Sequence, residues 1–408
     1  MSVTISDIEN ARERVKGIVN RTPLVPDRIL SDRLGCEAFL KAESLQRGGS
    51  FKLRGAFNRI SQLSDEEKNV GVIAASAGNH AQGVALAAKL NGAKATIVLP
   101  ETAPLTKIAA TRSHGADVVL AGMTFDEAVD HSRKLQAEHG YVYVHAFDDD
   151  LVIAGQGTIG FEIAEDLPQV THIVVPIGGG GIISGIAIAA KHLIPGVKVT
   201  GVQAANVAPV KASIEAGKPV DITYKPTIAD GIAIKRPAER TLALMKDFVD
   251  DFVTVTEEEI AEGIFHCAQN DRLVVEGAGA AGVAALLAGK VDVKPDDTVC
   301  AVLCGGNIDG NVLARVIEQV LVRRGRYVIF KVLVPDRPGS LARMLDIIAE
   351  CRANVIEVYH QRAIWLAPLG SVGIETILEV RDPDHALEVK DRLEQAGIKV
   401  EHEHPGDW

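Results

Sequence analysis

A lysine stands where lysines are usually avoided. In Gly48-Gly49-Ser50-Phe51-Lys52-Leu53-Arg54-Gly55-Ala56, the spacing of Leu53, Phe57 and Ile60 predicts a helix, with Ser50 as its candidate N-cap. Lys52 then falls in the first helical turn. The positive end of the helix dipole disfavours an ammonium there and lowers its pKa. A lysine so placed is a candidate nucleophile or base, and an exposed lysine in a basic turn is the plain alternative. A second segment, Ala75-Ser76-Ala77-Gly78-Asn79-His80-Ala81-Gln82-Gly83, runs from a strand into a helix. Free amides at that helix start, with the Ser76 and Asn79 side chains, make a receptor for a carboxylate. A third, Pro176-Ile177-Gly178-Gly179-Gly180-Gly181, lets the backbone approach a ligand and aim several N–H groups at one phosphate. A fourth, Val302-Leu303-Cys304-Gly305-Gly306-Asn307, puts a thiol at the end of a strand, where it either faces a cleft or packs as a small hydrophobe.

These loops need a scaffold. Val72–Ala75, Thr96–Leu99, Val118–Leu120, Ile173–Val175, Val197–Val202 and Val299–Leu303 are short apolar runs separated by helical stretches. That alternation predicts βα units with parallel sheets, in more units than one core usually holds, hence two lobes and a cleft. Near residue 323 the pattern changes. After Arg323-Arg324-Gly325-Arg326 come a strand (327–334), a helix (340–351), strands at 354–361 and 373–380, a helix (384–396) and a short strand from 398. This βαββαβ order predicts a separate ferredoxin-like module.

The 408 residues are 47% hydrophobic, 24% charged and 4% aromatic, with a net charge of −11, so the chain is globular and lacks the basic stripe of a duplex nucleic-acid binder. Five cysteines without a C-x-x-C pair suggest neither disulfides nor a thiolate zinc site. The start of the chain shows no apolar signal core, so a reducing, cytoplasmic setting is expected. Ile173–Ala190 carries no charge, but Pro176 and the glycine run make it a buried strand, loop and helix and no membrane span. The dinucleotide-binding alternative is weak. Gly178-x-Gly180 lacks its third glycine, and Gly277-x-Gly279-x-x-Gly282, which has the spacing, is followed by no strand ending in the acid that binds a ribose.

Together, Ser50–Ala56, Ser76–His80, Gly178–Gly181, Thr227-Ile228-Ala229-Asp230-Gly231, Glu276-Gly277-Ala278-Gly279 and Cys304–Asn307 resemble the fold type II family of pyridoxal-phosphate enzymes, in its threonine ammonia-lyase branch. Asp336-Arg337-Pro338-Gly339-Ser340-Leu341 resembles the first turn of an ACT module. The resemblance implies an α/β, two-lobed catalytic region over residues 1–322, with a small lobe at about 46–147, and an ACT-like regulatory domain over 323–408. It implies that Lys52 binds the aldehyde of pyridoxal phosphate and is then the base for the substrate Cα proton. Gly178, Gly179, Gly180 and Gly181 hold the phosphate, Asn79 bonds the ring hydroxyl, and Phe51 flanks the ring. Cys304 faces the pyridine nitrogen, and Gly231 and Glu276 line the cofactor. Ser76, Ala77, Gly78, Asn79 and His80 take the substrate carboxylate. A neutral thiol at the ring nitrogen favours β-elimination over transamination.

The expected reaction turns L-threonine into 2-oxobutyrate and ammonia, and L-serine into pyruvate. A branched-chain amino acid is the expected effector, held near Pro338, Gly339 and Asn354 between paired modules of a homodimer or homotetramer. No metal is expected. Gly201-Val202-Gln203-Ala204-Ala205-Asn206 offers amides where cation-binding relatives such as serine racemase carry acids. A serine dehydratase or racemase is the near alternative. A dehydrogenase or an amino-acid sensor with an ACT tail is the remote one.

Overall fold

The structure, a computed structural model, describes residues 3–223, 225–361 and 368–403. It separates into two compact units, the first running to Asp309 and the second starting at Gly310.

In the first unit ten strands occur in chain order. They are β1 (Leu24–Pro26), β2 (Glu37–Lys41), β3 (Val72–Ala75), β4 (Ala95–Leu99), β5 (Asp117–Leu120), β6 (Val142–Tyr143), β7 (His172–Pro176), β8 (Lys198–Ala204), β9 (Asp251–Val255) and β10 (Thr298–Val302). They form two sheets. One is wholly parallel, in the order β5-β4-β3-β6; the other runs β1-β2-β10-β7-β8-β9 and is parallel except for β1 against β2. Every residue of β3, β4, β7 and β10 is buried, as expected of parallel strands covered on both faces.

Five helices position the loops of interest: α1 (Lys52–Ile60), α2 (Asn79–Leu90), α3 (Asp150–Asp166), α4 (Gly181–Leu193) and α5 (Gly277–Leu287). Helix α5 is apolar all round and buried over almost its whole length, so it passes through the core. Helix α3 crosses α1 and α4 at glycines. A Cβ on Gly155 would lie 2.6 Å from the Arg54 carbonyl oxygen, and one on Gly157 would lie 2.9 Å from that of Gly185. Backbone therefore packs on backbone, which fixes α1, and Lys52 with it, to within the tolerance of a close-packed interior. Among the described residues, no helix is long and apolar enough to cross a membrane.

The second unit begins with α6 (Gly310–Arg323), then β11 (Tyr327–Pro335), α7 (Ser340–Glu350), β12 (Asn354–Gln361), β13 (Ser371–Glu379), α8 (Pro383–Gln395) and β14 (Lys399–Glu403). Its antiparallel sheet has the order β12-β13-β11-β14. β11 alternates buried and part-exposed residues, and its buried Val328, Phe330, Val332 and Val334 meet Met344 and Ile348 of α7 and Val389 and Leu393 of α8 in one core.

Candidate active site

Lys52 is the first residue of α1. Its N-cap is Phe51, not Ser50, and Phe51 gives no side-chain cap. The reason is tertiary. Ser50 bridges to Gly305 as a short antiparallel pair, and the Phe51 N–H donates to the Cys304 carbonyl at 3.2 Å, so this turn is held by the loop after β10. The Lys52 ammonium donates to the Ala146 carbonyl at 3.2 Å and lies 4.9 Å from the centre of the Phe51 ring. Burial lowers the lysine to about 8, against the opposing pull of Cys304 and Glu276. A near-neutral titration is what a lysine needs to act as a base.

Across from it lies a polar chain. Asn79, at the start of α2, donates to Glu276 at 2.6 Å, and its carbonyl accepts from Asn307 at 2.8 Å. Asn307 also donates to the Gly48 carbonyl at 2.9 Å. The Asn79 amide is thus oriented at both its nitrogen and its oxygen, by residues 197 and 228 positions further along the chain. Burial first, and then the Asp230 charge, raise Glu276 to about 7. Cys304 is 3% exposed, and burial with the Glu276 charge holds its thiol well above the usual range, so it stays protonated. Gly305 belongs to the same cluster, since a Cβ there would come within 2.3 Å of the Glu276 Oε1 and 3.0 Å of the Asn79 Nδ2.

Gly178–Gly181 follow β7 and are buried, and Gly180 takes a φ of +90° to start α4 without a side-chain cap. The first-turn amides of α4 are therefore free of side-chain acceptors. A Cβ on Gly179 would lie 2.3 Å from the Phe147 ring, and one on Gly178 would lie 3.1 Å from the Cα of Ile232, beside Gly231. Gly231 in turn faces Glu276, whose Oε1 a Cβ there would approach to 3.2 Å. Gly83 of α2 backs on Lys52, whose Cβ would lie 2.9 Å from an added Cβ. Lysine, Asn79, Glu276, Gly231, Cys304 and the glycine loop thus belong to one connected neighbourhood.

A family model for pyridoxal-phosphate dependent enzymes matches residues 15–305. The chain belongs to this family of pyridoxal-phosphate dependent enzymes. It is similar to an L-threonine ammonia-lyase of Thermotoga maritima, 50% identical over 398 residues that cover 98% of this chain and 99% of the relative. It is also 46% identical over 322 residues to an L-threonine dehydratase catabolic TdcB of Staphylococcus aureus, covering 78% of this chain and 93% of the relative. A solved structure, the processed form of threonine deaminase isoform 2 from Solanum lycopersicum, superposes with a TM-score of 0.73 at 38% identity, covering 78% of this chain and 89% of that one.

The residues present suit the cofactor of a pyridoxal-phosphate dependent enzyme. An amine of lowered pKa is available for an aldehyde, and a buried glycine turn with uncapped helix amides is available for a phosphate. His80 departs from its expected part in carboxylate binding. It is 4% exposed, its Nε2 donates to the Val144 carbonyl at 2.8 Å, and burial with the Lys52 charge pushes it down to about 3. The ring is therefore a neutral, committed donor, and only the backbone N–H of His80 stays with the helix start. The Asp148–Asp150 run, which reads from the sequence as loop solvation, is structural. Asp149 caps α3 and pairs with Arg59 at 3.1 Å, while Asp148 pairs with Arg240 at 2.8 Å.

Three features escaped sequence reasoning. Phe147 lies on the glycine loop, and the ring of His145 meets it edge-on at 4.7 Å. Asn307 orients Asn79. Beneath Lys52 lies a buried ionic cluster. Arg54 donates to Glu43 at 2.7 and 2.8 Å and to Glu162 at 2.6 and 2.9 Å, and Lys41 donates to Glu162 at 2.6 Å. Asn307 closes the Cys304–Asn307 segment, and Arg54 stands two residues after Lys52. The distances in sequence to Glu43 and Glu162 gave no signal.

Glu276 makes a pH prediction for the cofactor-free protein. Its carboxyl is raised from 4.5 to about 7, so between these values the folded state keeps a proton that the unfolded chain has lost. Stability therefore falls as pH rises through that window, and Glu276→Gln should remove this part of the slope. Urea unfolding of both proteins across the window checks it; equal slopes contradict it.

Proposed function

We propose that this enzyme removes ammonia from L-threonine, giving 2-oxobutyrate, and acts on L-serine by the same route to give pyruvate. The observation that carries the reading is the buried Lys52, lowered to about 8, in one neighbourhood with the glycine turn, Asn79 and a protonated Cys304. The names of the relatives support the substrate. Lys52 holds pyridoxal phosphate, Gly178–Gly181 take its phosphate, Asn79 meets its ring hydroxyl, Phe51 flanks the ring, Gly231 and Glu276 line it, and Cys304 faces its ring nitrogen. When bound, the cofactor supplies the electron sink for a carbanion at Cα.

The chain's own residues do the rest. The Ser76 hydroxyl and the amides of Ala77, Gly78 and Asn79 orient the substrate carboxylate at the positive end of α2, the Ser76 N–H being held by the Val98 carbonyl at 3.1 Å. The Lys52 amine takes the Cα proton and carries it as an ammonium, which its titration near neutrality permits. Cys304 offers the ring nitrogen a neutral S–H and adds no charge. The Lys52 ammonium gives the Cα proton back as the hydroxyl departs, so the two leave as water, and hydrolysis of the resulting enamine takes water back and releases ammonia and the 2-oxo acid. In Gly201–Pro209, Gln203 accepts from the Val210 N–H at 3.1 Å and Asn206 donates to the Pro226 carbonyl at 2.7 Å, which suits a segment that binds no cation.

The proposal extends to residues 1–322 as a catalytic domain with its small lobe at about 46–147, and to residues 323–408 as a ferredoxin-like ACT domain. Its βαββαβ order and the β12-β13-β11-β14 sheet support this. A cavity of about 430 Å³, lined by Asp336, Arg337, Pro338, Gly339 and His360 among others, has both charge signs for an amino-acid effector. Isoleucine is the first candidate and valine the second. Asn354, the third expected effector contact, does not line this cavity within one chain. It pairs with Glu379 at the far end of the sheet, opposite Tyr327, whereas the cavity lies at the Pro335 and Val372 end. The open edges of β12 and β14 suit pairing into a homodimer or homotetramer in the cytoplasm.

One assay tests the reading. Keto-acid release from L-threonine and L-serine, with a chirality assay on remaining serine, is measured with and without isoleucine. Threonine turnover that isoleucine alters is expected. Racemised serine without keto acid would overturn the reaction. An isoleucine response absent from the full chain would overturn the regulatory part.

A further inference from the structure

In the first unit, three side chains not yet described, two carboxylates and an imidazole, converge. Asp27 follows β1 and caps the next short helix through its Oδ1, 2.9 Å from the Leu30 N–H. His266 ends the helix Glu257–His266, and Asp271 closes the π-helical turn Cys267–Asp271. The His266 Nε2 donates to the Asp27 Oδ2 at 2.7 Å and lies 3.8 Å from the Asp271 Oδ2. One N–H thus stands between two carboxylates and serves only the first. The Asp271 side chain is 5% exposed, and its Oδ2 is buried with no hydrogen-bond partner. A buried carboxylate oxygen left unpaired is costly, and such groups are normally paired or bound to a metal.

We propose that Asp27, His266 and Asp271 bind one divalent first-row transition-metal ion, with Zn²⁺ as the probe. Donor atoms on a tetrahedral zinc, each about 2.1 Å from it, lie about 3.4 Å apart. The separations of 2.7 and 3.8 Å bracket that value, and all three donors lie within 4.8 Å of one another. Small side-chain shifts close the site. Two carboxylate oxygens and an imidazole leave a fourth position for water, and the nitrogen ligand favours a transition ion over Mg²⁺ or Ca²⁺.

Binding at Nε2 moves the ring's single proton from Nε2 to Nδ1 by exchange with solvent, so the imidazole ligates as the neutral Nδ1–H tautomer. Nδ1 now faces the Asn270 amide nitrogen at 2.9 Å, so that amide must turn and present its oxygen. The ion joins the segment after β1 to the turn at 267–271. That turn leads within five residues to Glu276, so the ion anchors one approach to the cofactor-lining carboxylate. The sequence gives no hint of it, because Asp27 and His266 are 239 positions apart and no ligand pair has a recognised metal-binding spacing.

The test uses holoenzyme stripped with a chelator and returned to metal-free buffer. Equilibrium dialysis against Zn²⁺ is expected to give about one ion per chain, with affinity lowered at least about tenfold in Asp271→Asn. That variant removes no hydrogen bond made by Oδ2, and its circular dichroism should match the wild type. Zn absorption-edge spectra of the wild type should show only nitrogen and oxygen neighbours, including an imidazole. Sub-stoichiometric zinc, unchanged affinity in Asp271→Asn, or a site lacking imidazole would overturn the proposal.

Discussion

Lys52→Ala should leave the fold intact and lower keto-acid formation from L-threonine by at least about 10³-fold, within the range by which general bases contribute. The loss is expected in kcat, because the carboxylate receptor of Ser76–Asn79 does not include this side chain. Lys52→Arg should not rescue it. A guanidinium stays charged at any working pH and can neither attack an aldehyde nor take a proton. The argument rests on place as well as on type. Lys52 is buried at a helix start, lowered to about 8, and shares its neighbourhood with Asn79, Glu276 and Cys304. Steady-state rates with matched circular dichroism check the prediction. Activity within tenfold of wild type would contradict it.

The second large effect is on stability. Arg54→Met should destabilise the protein by about 3–5 kcal/mol, the usual cost of removing one partner from a buried ion pair. Arg54 and Lys41 are fully buried, and together they balance the charges of Glu43 and Glu162. Burial alone would raise the Glu43 carboxyl, but the charge and hydrogen bonds of Arg54 outweigh it and hold it below its ordinary value. Without the guanidinium, two buried carboxylates share a single ammonium, and the Glu43 side chain keeps only its bond from Thr22, at 2.5 Å, among its direct partners. Arg54→Lys should recover little, because one ammonium cannot span both carboxylates. Urea unfolding measures the loss, and a change below about 1 kcal/mol would contradict this role. Because Arg54 lies two residues after Lys52 on α1, the same variant should lose activity at lower temperature than wild type.

Much of this was legible in one dimension. The uncharged runs at Val72–Ala75, Ala95–Leu99, His172–Pro176 and Thr298–Val302 are strands because both faces of their sheets are covered, and such strands read as plain apolar stretches. The glycine run had no cheaper explanation than a close approach of backbone to something else. Other strands were hidden. Glu37–Lys41 ends in a lysine that is fully buried only because Glu162 meets it, and Leu24–Pro26 and Val142–Tyr143 are too short to carry a period. Ser50 reads as a cap, but its strand-like pairing with Gly305 takes precedence, a contact across 255 residues. His80 reads as a ligand from its motif, and only the fold shows its ring turned to Val144. Local pattern fixes elements and loops; which side chains complete a polar network depends on pairings that no local pattern contains.

Everything in the proposed chemistry returns to which side chain carries the cofactor. Holoenzyme reduced with borohydride, digested and mapped by mass spectrometry answers that directly. The expected result is one reduced pyridoxyl-phosphate adduct per chain, on the peptide containing Lys52. An adduct on another lysine, or Lys52 unmodified in protein that has bound the cofactor, would contradict the account.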